Sequence, residues 1–394
     1  MSYKKYFFLL LFIDLLALAA KLFAVWLIDP IGMWGAPIVR GFNHYKVMQG
    51  AYLDVYKPYE YMREKPDILY IGESYMYVGF EPICKDHPEK KVYTMGLSML
   101  TLSDMREYLR FVYKVHKPEI IFLGLNPYQF KGQAYRANRN DKGFSQKRLD
   151  RLSGNVWGYY WQAVTDSLQL HDVCWLTVKT SRTHKEYPPL LLHGWDVKRG
   201  NADAPNPKAY YSRMGGPIGR GGLGLKLPEE WHYTPEATPE ALDCWWTIVT
   251  EANEAGVPLI AFFVPWSVDD YAIEELKGHR TILQSLKWEV AHIIPMYDFT
   301  VVSELATNRQ EYFYDTGHFR ASLGEKLKPC LESGNPTPYG YLLTPETADD
   351  VFAKENAAWE KWAAENWEYV NALKACIEIG HKPEVGEFEK YIGF

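Results

Sequence analysis

Cysteine is scarce in this sequence, and its spacing excludes two kinds of site. The 394 residues include five cysteines, and none of them forms a C-x-x-C pair. A dense disulfide framework and the common cysteine-based metal sites are therefore excluded. The 11 histidines are scattered without H-x-x-x-H or another ligand spacing. We therefore expect neither a metal ion nor a cofactor.

A net positive charge, a nucleotide-binding loop and internal repeats are also missing. The formal net charge is −6 at pH 7, so a nucleic-acid partner is not expected. A glycine-rich run at residues 214–222 does not match G-x-G-x-x-G after a strand, which argues against a dinucleotide site. The sequence has no internal repeat and no low-complexity tail.

Aromatic residues are what the sequence has in excess. They make up 15% of the chain, with 14 Trp and 29 Tyr, whereas the hydrophobic (47%) and charged (23%) fractions are ordinary. Such a surplus is typical of grooves that bind sugars or lipids, although it can equally fill a core. The length suits one large domain with insertions, or two domains.

An apolar segment occupies residues 6–28 and contains only two charged side chains. At about 1.5 Å per residue it is long enough to cross the roughly 30 Å hydrocarbon layer. Because Lys4 and Lys5 precede it, the segment predicts a single-pass anchor in the cell membrane, with a cytoplasmic N-terminus and the remaining chain outside. A cleaved signal peptide is the alternative, since Ala-Leu-Ala at 17–19 resembles a cleavage site.

The two charges in this segment, Asp14 and Lys21, lie seven positions apart and therefore on one helical face. A charge near the bilayer centre costs on the order of 3 kcal/mol. Lys21 can snorkel to the headgroups, but Asp14 hardly can. We expect this face to pack on another membrane protein.

Apolar runs alternate with helical periodicity between residues 66 and 331. Strands are predicted at residues 68–71, 91–95, 118–125, 257–265 and 292–299. Helices are predicted at residues 102–115, 238–255, 269–290 and 321–331. This rhythm predicts an α/β fold with a parallel sheet and helices on its faces.

The rhythm is interrupted between about residues 130 and 235, where basic clusters precede Gly- and Pro-rich runs. We interpret this insertion as a substrate-facing cap, with a solvated variable insertion as the alternative. The predicted organisation is an anchor at 1–29, a connector without its own core at 30–65, a catalytic domain at 66–331 and a C-terminal helical extension at 332–394. Within that extension, residues 344–379 read as one long helix.

Two short motifs carry groups suited to catalysis. Residues 72–74, Gly-Glu-Ser, follow the first predicted strand, and residues 315–318, Asp-Thr-Gly-His, lie in a predicted loop. The D-x-x-H spacing can fold the Asp315 carboxylate onto Nδ1 of His318. Nε2 is then free to take a proton from a nucleophile. On its own, each motif is also typical of an ordinary turn.

Taken in order, four signals resemble the SGNH, or GDSL-like, hydrolase superfamily. They are residues 72–74, Gly96 after the second strand, Asn126 after the third, and residues 315–318. The resemblance covers roughly residues 65–331 without the insertion, and it implies a flavodoxin-like, three-layer α/β/α sandwich. The chain departs from the family where Glu73 stands in place of Asp and where a proline follows the asparagine.

The resemblance also implies roles for these residues. Ser74 would be the nucleophile, His318 the general base and Asp315 the group that orients His318. The backbone N–H groups of Ser74 and Gly96 and the side-chain amide of Asn126 would form the oxyanion hole. A neutral donor aimed at the developing oxyanion contributes about 3–4 kcal/mol.

A domain of this type on one N-terminal helix resembles the accessory proteins of surface-polymer acylation, such as those for alginate, cellulose and teichoic acid. In those systems a multispanning membrane O-acyltransferase delivers the acyl group. The resemblance therefore implies an O-acyltransferase, most simply an O-acetyltransferase, that acts on a cell-surface polysaccharide through acyl-Ser74. An anchored carbohydrate or lipid esterase and a non-catalytic scaffold are the alternatives. Trp266, after the fourth predicted strand, would line the pocket mouth or pack in the core.

Overall fold

The computed structural model describes residues 2–46, 49–80, 89–98, 100–131, 146–183, 236–334 and 337–379. The chain divides into two compact units. Unit 1 comprises Met1–Glu64 and Arg139–Lys198, and unit 2 comprises Lys65–Asn138 and Arg199–Phe394. The glycine-rich run and much of the predicted cap lie outside the described residues.

Five α-helices and a short 3₁₀ helix (Gln49–Tyr52) form the described part of unit 1. The α-helices are α1 (Tyr3–Ile28), α2 (Leu53–Glu64), α5 (Gln146–Gly154), α6 (Val156–Gln169) and α7 (His171–Thr183). The mean hydropathy of α1 reaches 2.4, so this helix is long and apolar enough to cross a membrane by length and composition. The sequence predicted no helix between residues 130 and 235, because the aromatic and polar residues of α5–α7 do not follow an aliphatic pattern.

The segment after α1 contributes buried side chains to unit 1. Asp29 ends α1 with a left-handed backbone (φ 45°), and its carboxylate accepts hydrogen bonds from the N–H groups of Trp34 (3.0 Å) and Ala36 (3.1 Å). Tyr56 and Tyr59 on α2 are buried. The segment also buries aliphatic and methionine side chains, namely Ile31, Met33, Leu53 and Val55.

Unit 2 is built on a mixed, mostly parallel sheet. Its strands are β1 (Ile68–Gly72), β2 (Val92–Gly96), β3 (Ile120–Leu125), β4 (Leu259–Phe263), β5 (Met296–Asp298) and β8 (Tyr341–Leu343). They lie in the order β2-β1-β3-β4-β5-β8. The first five run parallel, and β8 pairs with β5 antiparallel. The parallel strands confirm the predicted α/β class, whereas the antiparallel edge strand was not predicted.

Helices and one hairpin connect these strands, and two further helices follow β8. The helices are α3 (Ser74–Gly79), α4 (Leu102–Val115), α8 (Pro239–Ala255), α9 (Val268–Leu276), α10 (Arg280–Ile293), α11 (Glu304–Thr307), α12 (Arg309–Tyr312), α13 (Ala321–Ser333), α14 (Ala348–Glu365) and α15 (Trp367–Ile379). The hairpin consists of β6 (Phe313–Asp315) and β7 (His318–Phe319). The predicted loop at 312–319 therefore contains regular structure.

Two predicted boundaries were wrong for local reasons. The last parallel strand begins at Met296 rather than at residue 292, because α10 continues to Ile293. The predicted helix at 344–379 is two helices, since the backbone leaves helical geometry at Asn366 (φ −118°, ψ 33°). A polar side chain there donates to the Trp362 carbonyl and caps the end of α14.

Much of the aromatic surplus fills the core of unit 2. The Tyr70 ring stacks on Phe122 with 4.7 Å between ring centroids and on Phe80 at 5.1 Å. Phe80 in turn meets Phe319 edge to face at 5.6 Å. These contacts join β1, β3, the end of α3 and β7, so the core residues fix where the groups around Ser74 and His318 lie.

Candidate active site

Three glycines lie at or one residue before the carboxyl ends of adjacent strands. Gly72 of β1 pairs in register with Gly96 of β2, and a Cβ on Gly72 would lie 2.7 Å from the Gly124 carbonyl oxygen of β3. Ser74 and Asn126 each follow two residues after such a glycine. The parallel register therefore collects Ser74, Gly96 and Asn126 at the carboxyl edge, where open α/β sheets bind ligands.

The helix that begins at Ser74 packs closely on its neighbours. A Cβ on Gly96 would lie 2.5 Å from the backbone nitrogen of Tyr77, so only glycine fits at the end of β2. A Cβ on Gly79 would lie 1.9 Å from the Phe319 ring. Because Phe319 follows His318, this glycine lets β7 approach α3 and sets the position of the histidine.

The β6–β7 hairpin explains the D-x-x-H spacing. Asp315 and His318 are a cross-strand pair that flanks the two-residue turn Thr316-Gly317. The Asp315 carboxylate accepts from the Gly317 N–H at 2.9 Å. Arg320 also stabilises the hairpin, since its Nε–H donates to the Phe313 carbonyl at 3.1 Å. Both Asp315 and His318 are buried.

Ser74, His318 and Asp315 form one hydrogen-bonded series. The Ser74 Oγ lies 2.7 Å from His318 Nε2. On the other side of the ring, His318 Nδ1 lies 2.8 Å from Asp315 Oδ1 and 3.0 Å from Oδ2. This arrangement fixes the tautomer with the proton on Nδ1 and leaves Nε2 to accept a proton from the half-buried serine.

Asn126 caps a short 3₁₀ turn, Pro127–Phe130, that follows β3. Its side-chain oxygen accepts from the Tyr128 N–H at 3.0 Å, and its backbone N–H donates to Gln129 Oε1 at 2.9 Å. The pattern Asn-Pro-x-Gln is a capping box that the sequence already contained. Because the amide oxygen is engaged in the cap, the amide N–H₂ is the group of this side chain that can act as a donor.

Trp266 is buried rather than at a pocket mouth. It is 2% exposed, and its ring stacks on Tyr128 with 5.0 Å between centroids. Its indole N–H has no hydrogen-bond partner among the described residues. The Lys131 ammonium lies 3.8 Å from the Tyr128 ring centroid. Burial lowers the pKa of Lys131 to about 7, an effect that Glu274 partly opposes.

One contact of the site was missed from sequence. The Tyr75 hydroxyl donates to Glu73 Oε2, and the Tyr75 ring lies 6.5 Å from the His318 ring between centroids. Glu73 thus holds an aromatic residue beside the histidine. No spacing rule in the sequence indicates this contact, because it depends on the first turn of α3.

The two charged residues of α1 belong to unit 1. Asp14 is exposed, whereas Lys21 is half-buried at the end of the helix that contacts α6 and α7. The face that carries both charges is therefore used by the chain itself at Lys21 and remains exposed at Asp14.

No group of three or more His, Cys, Asp or Glu side chains within the described ranges is arranged to hold a metal ion. Comparison with known proteins adds nothing to the geometry, since no family model and no curated protein matches the chain.

Proposed function

We propose that this chain is a membrane-anchored serine O-acyltransferase of the SGNH type. The hydrogen-bonded series Ser74–His318–Asp315 carries the proposal, because its nitrogens and oxygens have the order that nucleophilic acyl transfer requires. The order of the first five strands, 2-1-3-4-5, is typical of flavodoxin-like folds and supports the α/β/α sandwich that the family resemblance implies.

In this mechanism Ser74 Oγ attacks the acyl carbonyl while its proton moves to His318 Nε2. The tetrahedral intermediate collapses, the bond to the donor breaks, and the leaving group takes the proton from His318. An acceptor hydroxyl then attacks acyl-Ser74 and gives its proton to His318. When this second tetrahedral intermediate collapses, the new ester leaves and Ser74 takes the proton back from His318. Asp315 stabilises the imidazolium that forms in each step.

The oxyanion would be stabilised by the amide N–H₂ of Asn126 and by the backbone N–H groups of Ser74 and Gly96. The common sheet edge and the engaged oxygen of Asn126 support these assignments. Donors of this kind are pre-oriented, so they stabilise charge without reorganisation during the reaction.

The donor and acceptor are inferred from the anchor and from the family resemblance. α1 supports a single-pass protein whose catalytic domain lies outside the cytoplasm. A multispanning membrane O-acyltransferase would load Ser74, and a hydroxyl of a cell-surface polysaccharide would receive the acyl group. Where water reaches acyl-Ser74 instead, the same residues give an esterase.

Mass spectrometry of the full chain in nanodiscs, after exposure to an activated acetyl ester, tests this proposal. We expect an acetyl adduct on Ser74 in the wild type and none in Ser74→Ala or His318→Ala. Ser322→Ala is the matched control, since its hydroxyl bonds the Glu311 carbonyl on a different element, and it should acetylate Ser74 normally.

Addition of an oligosaccharide to the acetylated protein separates transferase from esterase. Faster loss of the adduct with formation of a sugar ester supports transfer, and loss to water at an unchanged rate supports hydrolysis. A folded protein that never acylates, together with normal polymer modification by Ser74→Ala in cells, would replace both by the scaffold.

A further inference from the structure

The end of α1 packs against two other helices of unit 1. Residues 3–20 are exposed along their whole length, about 27 Å of helix. In the last two turns Val25 is buried and Lys21, Leu22 and Ile28 are half-buried on one face. This is where α1 contacts α6 and α7.

Helix α6 buries polar side chains and exposes aromatic ones. Its buried face carries Gln162, Asp166 and Ser167, whereas Trp157 (80% exposed) and Trp161 (65% exposed) lie on the opposite face. A helix in water normally shows the reverse pattern. Apolar residues scattered singly over a surface are ordinary, but a contiguous exposed aromatic patch marks a contact surface.

The polar side chains on the buried face of α6 form hydrogen bonds, and these fix the orientation of the helix. Asp166 accepts from the Tyr59 hydroxyl at 2.8 Å and from Gln162 Nε2 at 2.9 Å. Ser167 Oγ accepts from the Trp34 indole N–H at 3.1 Å. Rotation of α6 to bury its aromatic residues would break all of these hydrogen bonds.

Helix α7 likewise buries polar side chains and exposes an aromatic one. Thr177 and Ser181 are buried, and the Ser181 hydroxyl accepts from the Tyr45 N–H at 2.9 Å. Trp175 is 67% exposed, and the Lys179 ammonium lies 4.8 Å from its ring centroid. Two neighbouring helices thus expose tryptophans beside the end of the apolar helix.

The length of α1 indicates what covers this surface. If Lys4 and Lys5 mark one boundary of the bilayer, the roughly 20 residues needed to cross it end near Val25. Helices that pack on Val25 then lie at the level of the opposite headgroups. Trp and Tyr are the residues enriched at that depth, since their rings are apolar and their N–H or O–H groups reach water.

We propose that α6 and α7 lie on the membrane surface, with Trp157, Tyr160, Trp161 and Trp175 inserted at the boundary between headgroups and acyl chains. The patch favours lipid over a protein partner because its large exposed residues are Trp and Tyr with a single Val. The proposal is independent of the chemistry at Ser74.

Quenching of tryptophan fluorescence by brominated lipids in nanodiscs tests it on the full chain. The test variant is Trp157→Phe/Trp161→Phe/Trp175→Phe. The control replaces three exposed tryptophans of unit 2, Trp246→Phe/Trp288→Phe/Trp367→Phe. We expect the quenched part of the emission to fall by about half or more in the test variant and to stay unchanged in the control. Bromine placed near the headgroup should quench more than bromine near the chain end.

Equal quenching in the wild type and the test variant would overturn the proposal and would leave a protein partner as the cover of this face. An equal fall in test and control variants would overturn it too, since the quenching would then not be local. If the test variant does not fold, photolabelling of the wild type with a lipid-soluble diazirine tests the proposal instead. Labelled peptides from residues 156–175 would support the proposal, and labelling confined to α1 would overturn it.

Discussion

The Asp315 carboxylate serves both the turn and the histidine. It accepts from the Gly317 N–H and lies within 3.0 Å of His318 Nδ1 through both oxygens. In Asp315→Asn, the amide oxygen can keep the turn bond, but the amide N–H₂ then faces Nδ1 and favours the wrong tautomer. We expect acylation of Ser74 to slow by about 10²–10⁴-fold. Burst kinetics with an activated ester measure this, and an unchanged rate would remove Asp315 from the mechanism.

Asn126→Asp separates the capping role of Asn126 from its proposed oxyanion role. Asp caps as well as Asn, so the thermal midpoint should change little. The carboxylate has no N–H to donate and repels a developing oxyanion, and we expect the acylation rate to fall by about 10²–10³-fold. Equal losses of rate and stability would instead indicate that Asn126 acts only through the fold.

Lys131 predicts a pH dependence of stability. Its pKa is near 7 in the folded protein and about 10.5 when unfolded, so between these pH values the unfolded chain binds one more proton. The penalty for burying this charge is therefore full below pH 7 and is relieved as the pH rises towards 10. Lys131→Met removes a penalty on the order of 5 kcal/mol at most.

Unfolding midpoints between pH 6 and 10 test this prediction. The variant should gain stability over the wild type at pH 6, and the gain should shrink with rising pH. Lys117→Met controls for the loss of one charge at an exposed position. A gain that is independent of pH would assign the effect to packing around Tyr128.

The sequence was sufficient to propose Ser74, His318 and Asp315 as one site, although they span more than 240 positions. Asp315 and His318 close locally in a hairpin, and Ser74 follows a strand whose end is visible as Gly72. Trp266 was not predictable in the same way, because whether an aromatic residue after a strand faces a pocket or the core depends on Tyr128, which is distant in sequence. Likewise, the contact of Tyr75 with the histidine depends on the helix phase of α3.

Packing between α3 and β7 gives a prediction for Gly79. In Gly79→Ala the new methyl group would overlap the Phe319 ring, so β7 must move away from α3. We expect a loss of about 1–3 kcal/mol in stability and a longer distance between Ser74 Oγ and His318 Nε2, with reduced acylation. Gly154→Ala, which has open space around it, should change neither.

A second substitution makes the Gly79 test specific. Phe319→Leu added to Gly79→Ala creates room for the methyl group and should restore part of both stability and acylation. Purely additive losses in the double variant would show that the two positions are not coupled through this contact.

Elements that follow aliphatic periodicity were predictable, and elements built from aromatic or polar residues were not. β1, β3 and β4 are apolar runs with clear ends. α2 buries tyrosines beside Leu53 and Val55, and most of the side chains that α6 buries are polar. β8 is a three-residue edge strand whose exposed Leu342 gives no regular alternation. Burial by hydrogen bonding leaves no hydrophobic pattern to read.

The last described helix, α15, contacts a buried ion pair of unit 2. Arg309 donates to both oxygens of Asp269, at 2.7 and 2.8 Å, and the Tyr369 hydroxyl of α15 donates to the same carboxylate. Arg309→Leu leaves the buried Asp269 charge without its ion-pair partner, and we expect a loss of about 3–5 kcal/mol. Tyr369→Phe should cost only about 1 kcal/mol.

Hydrogen–deuterium exchange of the peptide that covers residues 367–379 reports this loss locally. Faster exchange in Arg309→Leu than in Tyr369→Phe is expected. Replacement of both partners, Asp269→Leu with Arg309→Leu, should recover much of the protection, because no buried charge remains. Equal exchange in all variants would mean that α15 is held by its apolar contacts alone.

The division into two units has a consequence for how the chain is made. Unit 1 is completed by helices that follow α1 by about 130 residues, and β1–β3 of the other unit lie between them. At about 5–20 residues per second, the ribosome needs on the order of 10–30 s to deliver α7 after α1. During that interval α1 lacks the two later helices that pack on it, and the sheet lacks β4 and β5. Both units are therefore incomplete while this part of the chain is synthesised.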